Sequence, residues 1–235
     1  MIKAILFDLD GTLLPMDADL FGKTYFNDLT QYFYSLGYEK AKLLKSIGRG
    51  ISAQVKNDSD KTNEEVFWEE MFSIYGEKIR NDLPYFEKFY IEKFDDVKRS
   101  CGFTERSREI IDLVKSKGVK IILATNPVFP RIATEKRVAW AGLDKDDFDY
   151  ITTYENSSRC KPRPIYYEEI LEKNSLLPSE CLMIGNDTLD DIAATKIGIK
   201  TFILTDCLIN NQNIDLIYIP HGSHDDFIDF INSHF

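Results

Sequence analysis

The sequence lacks any apolar run approaching the roughly 18 residues a membrane helix requires, so no membrane-spanning segment is expected. Positive charge is scarce as well: 29 Lys and Arg stand against 39 Asp and Glu, a formal net charge of −10. Such a field repels polyanions, which argues against nucleic acid and anionic membrane surfaces as partners. Only four cysteines occur, Cys101, Cys160, Cys181 and Cys207. They show no CxxC or metal-type spacing and are read as buried, reduced thiols of a cytoplasmic protein. The opening MIKAILFDLDG has neither a basic leader nor a long apolar stretch, so no secretory signal is expected. What is present, 43% hydrophobic and 29% charged residues at a mean hydropathy of −0.28, is the composition of an ordinary globular protein. At 235 residues the chain is long enough for one large domain or for a core with a smaller insert.

Short β-rich apolar runs recur, each ending in polar or acidic residues: Lys3–Asp10, Val119–Asn126, Tyr150–Glu155, Cys181–Asp187 and Lys200–Asp206. Near-continuous apolar strands imply a parallel sheet buried on both faces. Segments of helical period lie between and after the later runs, at Glu105–Lys117, Pro130–Gly142, Arg163–Ser175, Thr188–Gly198 and Asp225–Phe235. This alternation predicts βαβ units and an α/β, doubly wound (Rossmann-like) core, with reactive groups gathered at the carboxyl ends of the strands. The first strand breaks the rhythm, because about a hundred residues separate Asp10 from the next apolar run. Met16–Arg99 shows only amphipathic helical patterns, such as Leu20–Leu36 and Thr62–Tyr75, interrupted at Gly37, Gly48, Gly50, Gly76 and Pro84. The reading is therefore a core of residues 1–15 and 100–235 carrying an all-helical insert, 16–99. Sixteen of the 30 aromatics fall in that insert, enough for Phe26, Phe33, Trp68 and Phe72 to form a core of its own.

The chemistry-bearing residues sit at the strand ends. Asp8-Leu9-Asp10-Gly11-Thr12 closes the first run, and its two carboxylates two residues apart can be directed to one side while Gly11 permits a sharp bend. A lone strand-terminal aspartate such as Asp206 is usually a cap or turn residue, whereas a pair needs a better explanation. Leu123-Ala124-Thr125-Asn126 ends the second run, Lys161 follows the third, and Gly185-Asn186-Asp187-Thr188-Leu189-Asp190-Asp191 follows the fourth.

In this order the four motifs resemble the haloacid dehalogenase superfamily, specifically its phosphatase branch with a helical cap inserted after the first motif. The resemblance covers roughly Met1–Leu14 and Phe103–Asp206. It implies that Asp8 is a nucleophile that becomes a transient aspartyl phosphate, and that Asp10 is the general acid and then the general base. It implies that Thr125, helped by Asn126, binds the transferring phosphoryl group and that Lys161 neutralises it and holds Asp8. Mg²⁺ would be held by Asp8, the backbone carbonyl of Asp10 and Asp187. Asp191 is the better second acid than Asp190, since it follows Asp187 by four residues at the start of a helix. Charge counting agrees: three ionised aspartates and a phosphomonoester dianion face one ammonium, which makes a divalent cation with hard oxygen ligands close to obligatory.

The expected partner is therefore a small phosphorylated metabolite, bound by a monomer or a homodimer, and the expected reaction is hydrolysis of a phosphomonoester. Sugar-phosphate mutases share all four motifs, and a silent binding protein on the same fold is the alternative from another class. Within the insert, Ile47-Gly48-Arg49-Gly50 is a candidate substrate contact, because flanking glycines in a turn would present Arg49 to an anion. Two departures from the family pattern stand out. Pro15 occupies a position where many relatives carry an acid, and Gly-Asn-Asp replaces the frequent Gly-Asp, with Asp187 preferred over Asn186 as the anionic ligand.

Overall fold

A computed structural model of the chain describes residues 1–235. Six short strands form one parallel sheet: β1 (Ala4–Phe7), β2 (Lys120–Leu123), β3 (Tyr150–Ile151), β4 (Cys181–Gly185), β5 (Lys200–Leu204) and β6 (His221–Gly222). Their spatial order is β3-β2-β1-β4-β5-β6, so the chain builds outward from β1 on one side and then on the other. This is the doubly wound α/β fold expected from the alternation of patterns. β1 lies between two neighbours, and all four of its residues are buried, which is why KAILFDLD reads as a continuous apolar run. β6 is an addition: two residues, one of them a histidine, carry no periodic signal.

Alternate side chains leave the sheet on opposite faces. Ile5, Phe7, Ile121, Leu123, Leu182 and Ile184 join residues of α5 (Arg106–Ser116), α6 (Arg131–Trp140) and α8 (His224–His234). Ala4, Leu6, Ile122, Ala124 and Met183 meet α7 (Pro164–Asn174) and the 3-10 helix Ile192–Ile197 on the other. The regular helix expected over Thr188–Gly198 is therefore shorter and tighter than its pattern suggests. Its start is diverted because the Asp187 carboxylate accepts the amides of Leu189 and Asp190, competing with helical pairing.

Between β1 and α5 the chain forms only helices: α1 (Ala18–Tyr34), α2 (Lys40–Val55), α3 (Asn63–Tyr75), α4 (Glu77–Glu92) and the 3-10 helix Phe94–Ser100. Their starts are written in the sequence. Asp17 and Glu39 accept amides of the first turns of α1 and α2, and Thr62 with Glu65 forms a capping box on α3. Three of the expected interruptions are not interruptions. Pro84 lies inside α4, and Gly48 and Gly50 lie inside α2. A side chain at Gly50 would come within 2.5 Å of the Phe67 ring, so this glycine serves close packing of α2 on α3.

The insert's aromatics also do not form a core of their own. Phe33 stacks on Phe86 and Trp68 on Phe72, as expected of a local core. Phe94, however, stacks on Trp140 of α6, and Tyr25 packs on Phe129 beyond the end of β2. One 36-residue apolar cluster thus runs from the sheet face into the insert.

A polar cluster pins α5 to the 3-10 helix Lys145–Asp147. Burial opposes the Asp147 charge, but hydrogen bonds from Arg108 and Lys115 outweigh it and pull the carboxyl down to about 2. A depressed carboxyl stabilises the fold above the ordinary carboxylate range and loses that contribution as pH falls toward 2. Both cations are partly exposed, which limits the effect. Asp147→Asn is expected to lower the unfolding free energy by about 1–2 kcal/mol at pH 7, with a clearly smaller difference at pH 3, as read by urea titration.

Candidate active site

The parallel register brings the expected strand ends to one edge. Phe7 is level with Leu123 on one side and Ile184 on the other, so Asp8, Thr125 and the Gly185–Asp191 turn emerge together. Lys161 reaches them from the loop before α7. Its Nζ donates to Asp8 Oδ1 at 2.8 Å and to Asp191 Oδ1 at 2.7 Å, with the lysine side chain 2% exposed. Burial disfavours the ammonium, but Asp191 and Asp8 beside it hold its pKa well above the ordinary lysine value. Asp8 is raised to about 7, chiefly by burial, with Asp191 and Asp10 adding to the rise and Lys161 opposing it. One cation thus serves two buried carboxylates.

Two glycines make this approach possible. A side chain on Gly185 would come within 2.0 Å of the Asp191 carboxyl, and on Gly11, whose φ is +86°, within 2.2 Å of the Asn186 amide. Asn186 is fully enclosed: its amide donates to the Cys207 carbonyl at 2.7 Å, and its Oδ1 accepts from the Thr12 hydroxyl at 3.0 Å. The Thr12 hydroxyl lies 3.5 Å from Asp8 Oδ2.

The remaining residues are distributed unevenly. Asp10 turns to Arg137 of α6, a side chain 1% exposed, and pairs with it through Oδ2, while its Oδ1 is buried without a partner. Thr125 is buried, and its backbone carbonyl is fixed by Thr152 and Tyr166 at 2.7 and 2.8 Å. The Asn126 side-chain oxygen is likewise buried and unpartnered. Asp187 and Asp191 are joined, since the Asp187 amide donates to Asp191 Oδ2 at 3.0 Å, but their carboxylates diverge. Asp191 turns to Lys161 and Asp187 to the amides that follow it. Asp190 lies nearby, its carboxyl raised to about 6 chiefly by burial. Arg49 is not gathered into the site. It lies on helix α2 rather than in a glycine-flanked turn, and pairs with Glu70 at the surface.

Two side chains at this edge escaped the sequence reading. Arg137 had a faint signal, a cation four residues after Ala133 on the apolar stripe of α6. Asn63, at the start of α3, is completely buried, and its amide donates to the Pro127 and Arg159 carbonyls and to Cys160 Sγ. The Asn63 and Glu64 backbone amides donate to the Ser157 and Tyr154 carbonyls. The helical insert is therefore docked on the very loops that carry Thr125 and Lys161.

Residues 5–204 match the family model described as haloacid dehalogenase-like hydrolase. The chain belongs to that family. Among curated relatives it is 28% identical over 201 residues to pyrophosphatase PpaX of Bacillus mycoides, covering 85% of this chain and 82% of that one. It is 27% identical over 204 residues to phosphoglycolate phosphatase of Neisseria gonorrhoeae, covering 84% and 77%. A solved structure with the same fold is CbbY from Rhodobacter sphaeroides in complex with phosphate, at a TM-score of 0.58, 17% identity and coverage of 98% and 96%. This family membership matches the resemblance drawn from the four motifs.

The charge arrangement makes Lys161 the most consequential side chain for stability. Replacing it leaves two buried carboxylates facing each other, a change that costs about 3–5 kcal/mol in comparable sites. Lys161→Met is expected to lower the urea midpoint by a corresponding amount. Asp191→Asn, which leaves the Lys161–Asp8 pair intact, is expected to cost less.

Proposed function

We propose that the chain is a Mg²⁺-dependent phosphatase that hydrolyses a small-molecule phosphomonoester through an aspartyl phosphate on Asp8. The observation that carries this reading is the buried Asp8–Lys161–Asp191 cluster at the strand edge, with Asp10 two residues from Asp8 and held by Arg137. The names of the relatives, a pyrophosphatase and a phosphoglycolate phosphatase, support phosphoryl chemistry.

The donor set suits a hard divalent cation. Asp8 Oδ2 has only the long Thr12 contact, Asp10 Oδ1 has no protein partner, and negative charge exceeds the single ammonium. Asp8, the backbone carbonyl of Asp10 and Asp187 would hold it. Both oxygens of Asp191 are engaged by Lys161 and the Asp187 amide, so Asp191 contributes through the lysine. Bound there, Mg²⁺ supplies charge neutralisation for the phosphoryl oxygens.

The protein's own groups perform the rest. Lys161 keeps the Asp8 carboxylate oriented and offsets the charge of the incoming dianion. Asp8 attacks phosphorus, and the departing alkoxide takes a proton from Asp10, which Arg137 orients. Asp10 then withdraws a proton from the water that cleaves the acyl phosphate, returning Asp8 to its starting state. Thr125 and Asn126 bind the transferred group. Residues 16–99 act as a cap over a core formed by 1–15 and 100–235, limiting water at the phosphoenzyme. The unpaired cysteines are consistent with a cytoplasmic setting.

Asp8→Asn is expected to reduce hydrolysis of phenyl phosphate by roughly 10³-fold or more while leaving the thermal unfolding transition in place. Turnover comparable to wild type would eliminate the nucleophile assignment. Chelation with EDTA is expected to abolish hydrolysis, and added Mg²⁺ to restore it; activity undiminished by EDTA would exclude the metal requirement.

A further inference from the structure

The junction between insert and core encloses an apolar cavity of about 40 Å³. Tyr25, Leu29, Phe67 and Trp68 wall it from the insert, and Phe129 and Tyr154 from the core. None of its twelve lining residues is charged. Val128 and Phe129 lie in the loop after β2, separated from Thr125 and Asn126 by Pro127 alone. The Phe129 ring lies 4.5 Å from the Arg137 guanidinium, whose edge holds Asp10. On the proposed function the leaving oxygen comes within reach of Asp10, and the Arg137–Phe129 contact makes this wall the apolar surface joined to that acid.

The cavity adjoins a wider groove of about 820 Å³, with which it shares Trp68, Phe86, Tyr90, Pro130 and Tyr154. Six glutamates line that groove, Glu64, Glu65, Glu69, Glu87, Glu135 and Glu155, against one cation, Arg131. Arg131 itself lies 3.8 Å from Glu135. The other cations around the junction are engaged as well. Lys161 serves Asp8 and Asp191, Arg137 serves Asp10, and Arg49 serves Glu70. Arg159 donates to the Ser59 carbonyl, and Arg163 to the Asn57 carbonyl and Asp58.

We infer that this cavity and groove receive the leaving group, and that the substrate is a phosphomonoester of an apolar or aromatic alcohol that carries no negative charge of its own. The inference deepens the proposed function and rests on it. Apolar walls favour a hydrocarbon or ring by removing its surface from water. Arg131 and Lys61 are already taken by Glu135 and Glu69, so a second phosphate or a carboxylate would meet Glu64, Glu65, Glu87 and Glu155, which have no ion-pair partner, with no free cation to receive it. The chain therefore differs in leaving-group preference from what the names of its pyrophosphatase and phosphoglycolate phosphatase relatives describe.

The test compares 4-ethylphenyl phosphate with 4-(carboxymethyl)phenyl phosphate, whose phenols are similar leaving groups because a methylene insulates the charge. Pyrophosphate and 2-phosphoglycolate are assayed beside them with Mg²⁺ at low ionic strength. The neutral ester is expected to have a kcat/KM at least tenfold above each of the three anionic substrates, and the gap to the carboxymethyl ester is expected to lie mainly in KM. Glu64→Gln combined with Glu155→Gln is expected to narrow that gap, and Trp68→Ala to raise KM for the neutral ester alone. Equal or better turnover of any anionic substrate overturns the inference, as does a gap unmoved by the double glutamine variant. The Asp8→Asn variant separates the two levels. If Asp8-dependent turnover favours an anionic leaving group, only this inference fails, whereas neutral-ester turnover that survives Asp8→Asn removes the underlying reading.

Discussion

The structure depends on one buried ammonium. Lys161 is shared between Asp8 and Asp191, which reach it from the ends of β1 and β4, 153 and 30 residues away in sequence. A carboxylate at either position alone would face a desolvation cost of several kcal/mol, and two together would repel strongly. The surrounding chain is shaped to allow the cluster. Gly185 has no side chain to obstruct Asp191, Gly11 leaves room for Asn186, and the Asp187 amide fills the remaining oxygen of Asp191. The raised Asp8 carboxyl shows that the lysine does not fully compensate the burial and the neighbouring acids. A site in that condition accepts further positive charge, which is what the proposed Mg²⁺ would bring to a phosphate dianion entering a chain of net charge −10.

The second organising interaction is aromatic. Phe129, just beyond β2, packs on Tyr25 of the insert and carries the Arg137 guanidinium on its ring, and Arg137 holds Asp10. The strand edge and the insert are thus connected through packed side chains rather than through the backbone junction alone. The same continuity accounts for the insert's many aromatics: they pack among its helices and complete the core beneath it in one cluster.

The strand-end chemistry was legible because β1, β2 and β4 are buried on both faces, so each apolar run stops where the polar site begins. Asp8, Asp10, Thr125, Lys161 and the turn from Asn186 to Asp191 could be placed on one edge from that pattern alone. Side-chain direction was not legible. Asp187 and Asp191 are four residues apart and bonded, yet one caps local amides and the other meets Lys161, a choice made by Gly185 and the distant lysine. Arg137 and Asn63 were missed because only tertiary packing tells which helix face turns inward. Gly48 and Gly50 misled for the converse reason. Gly50, needed for close approach to Phe67, looks in one dimension like a helix break, and Gly48, whose surroundings are open, is simply carried within the same helix.

The position of Asn63 has a consequence for timing. Its single amide group joins the insert to the Pro127 carbonyl, which follows Thr125 and Asn126, and to Arg159 and Cys160, which precede Lys161. The first turn of α3 also takes its carbonyl partners from the core, at Ser157 and Tyr154. On the proposed function, lifting the insert would do two things at once: let solvent in and remove the brace between the two loops assigned to the phosphoryl group. Under that reading seclusion and competence would be one state of the molecule, and a stray water arriving through an open gap would meet a site that is no longer assembled.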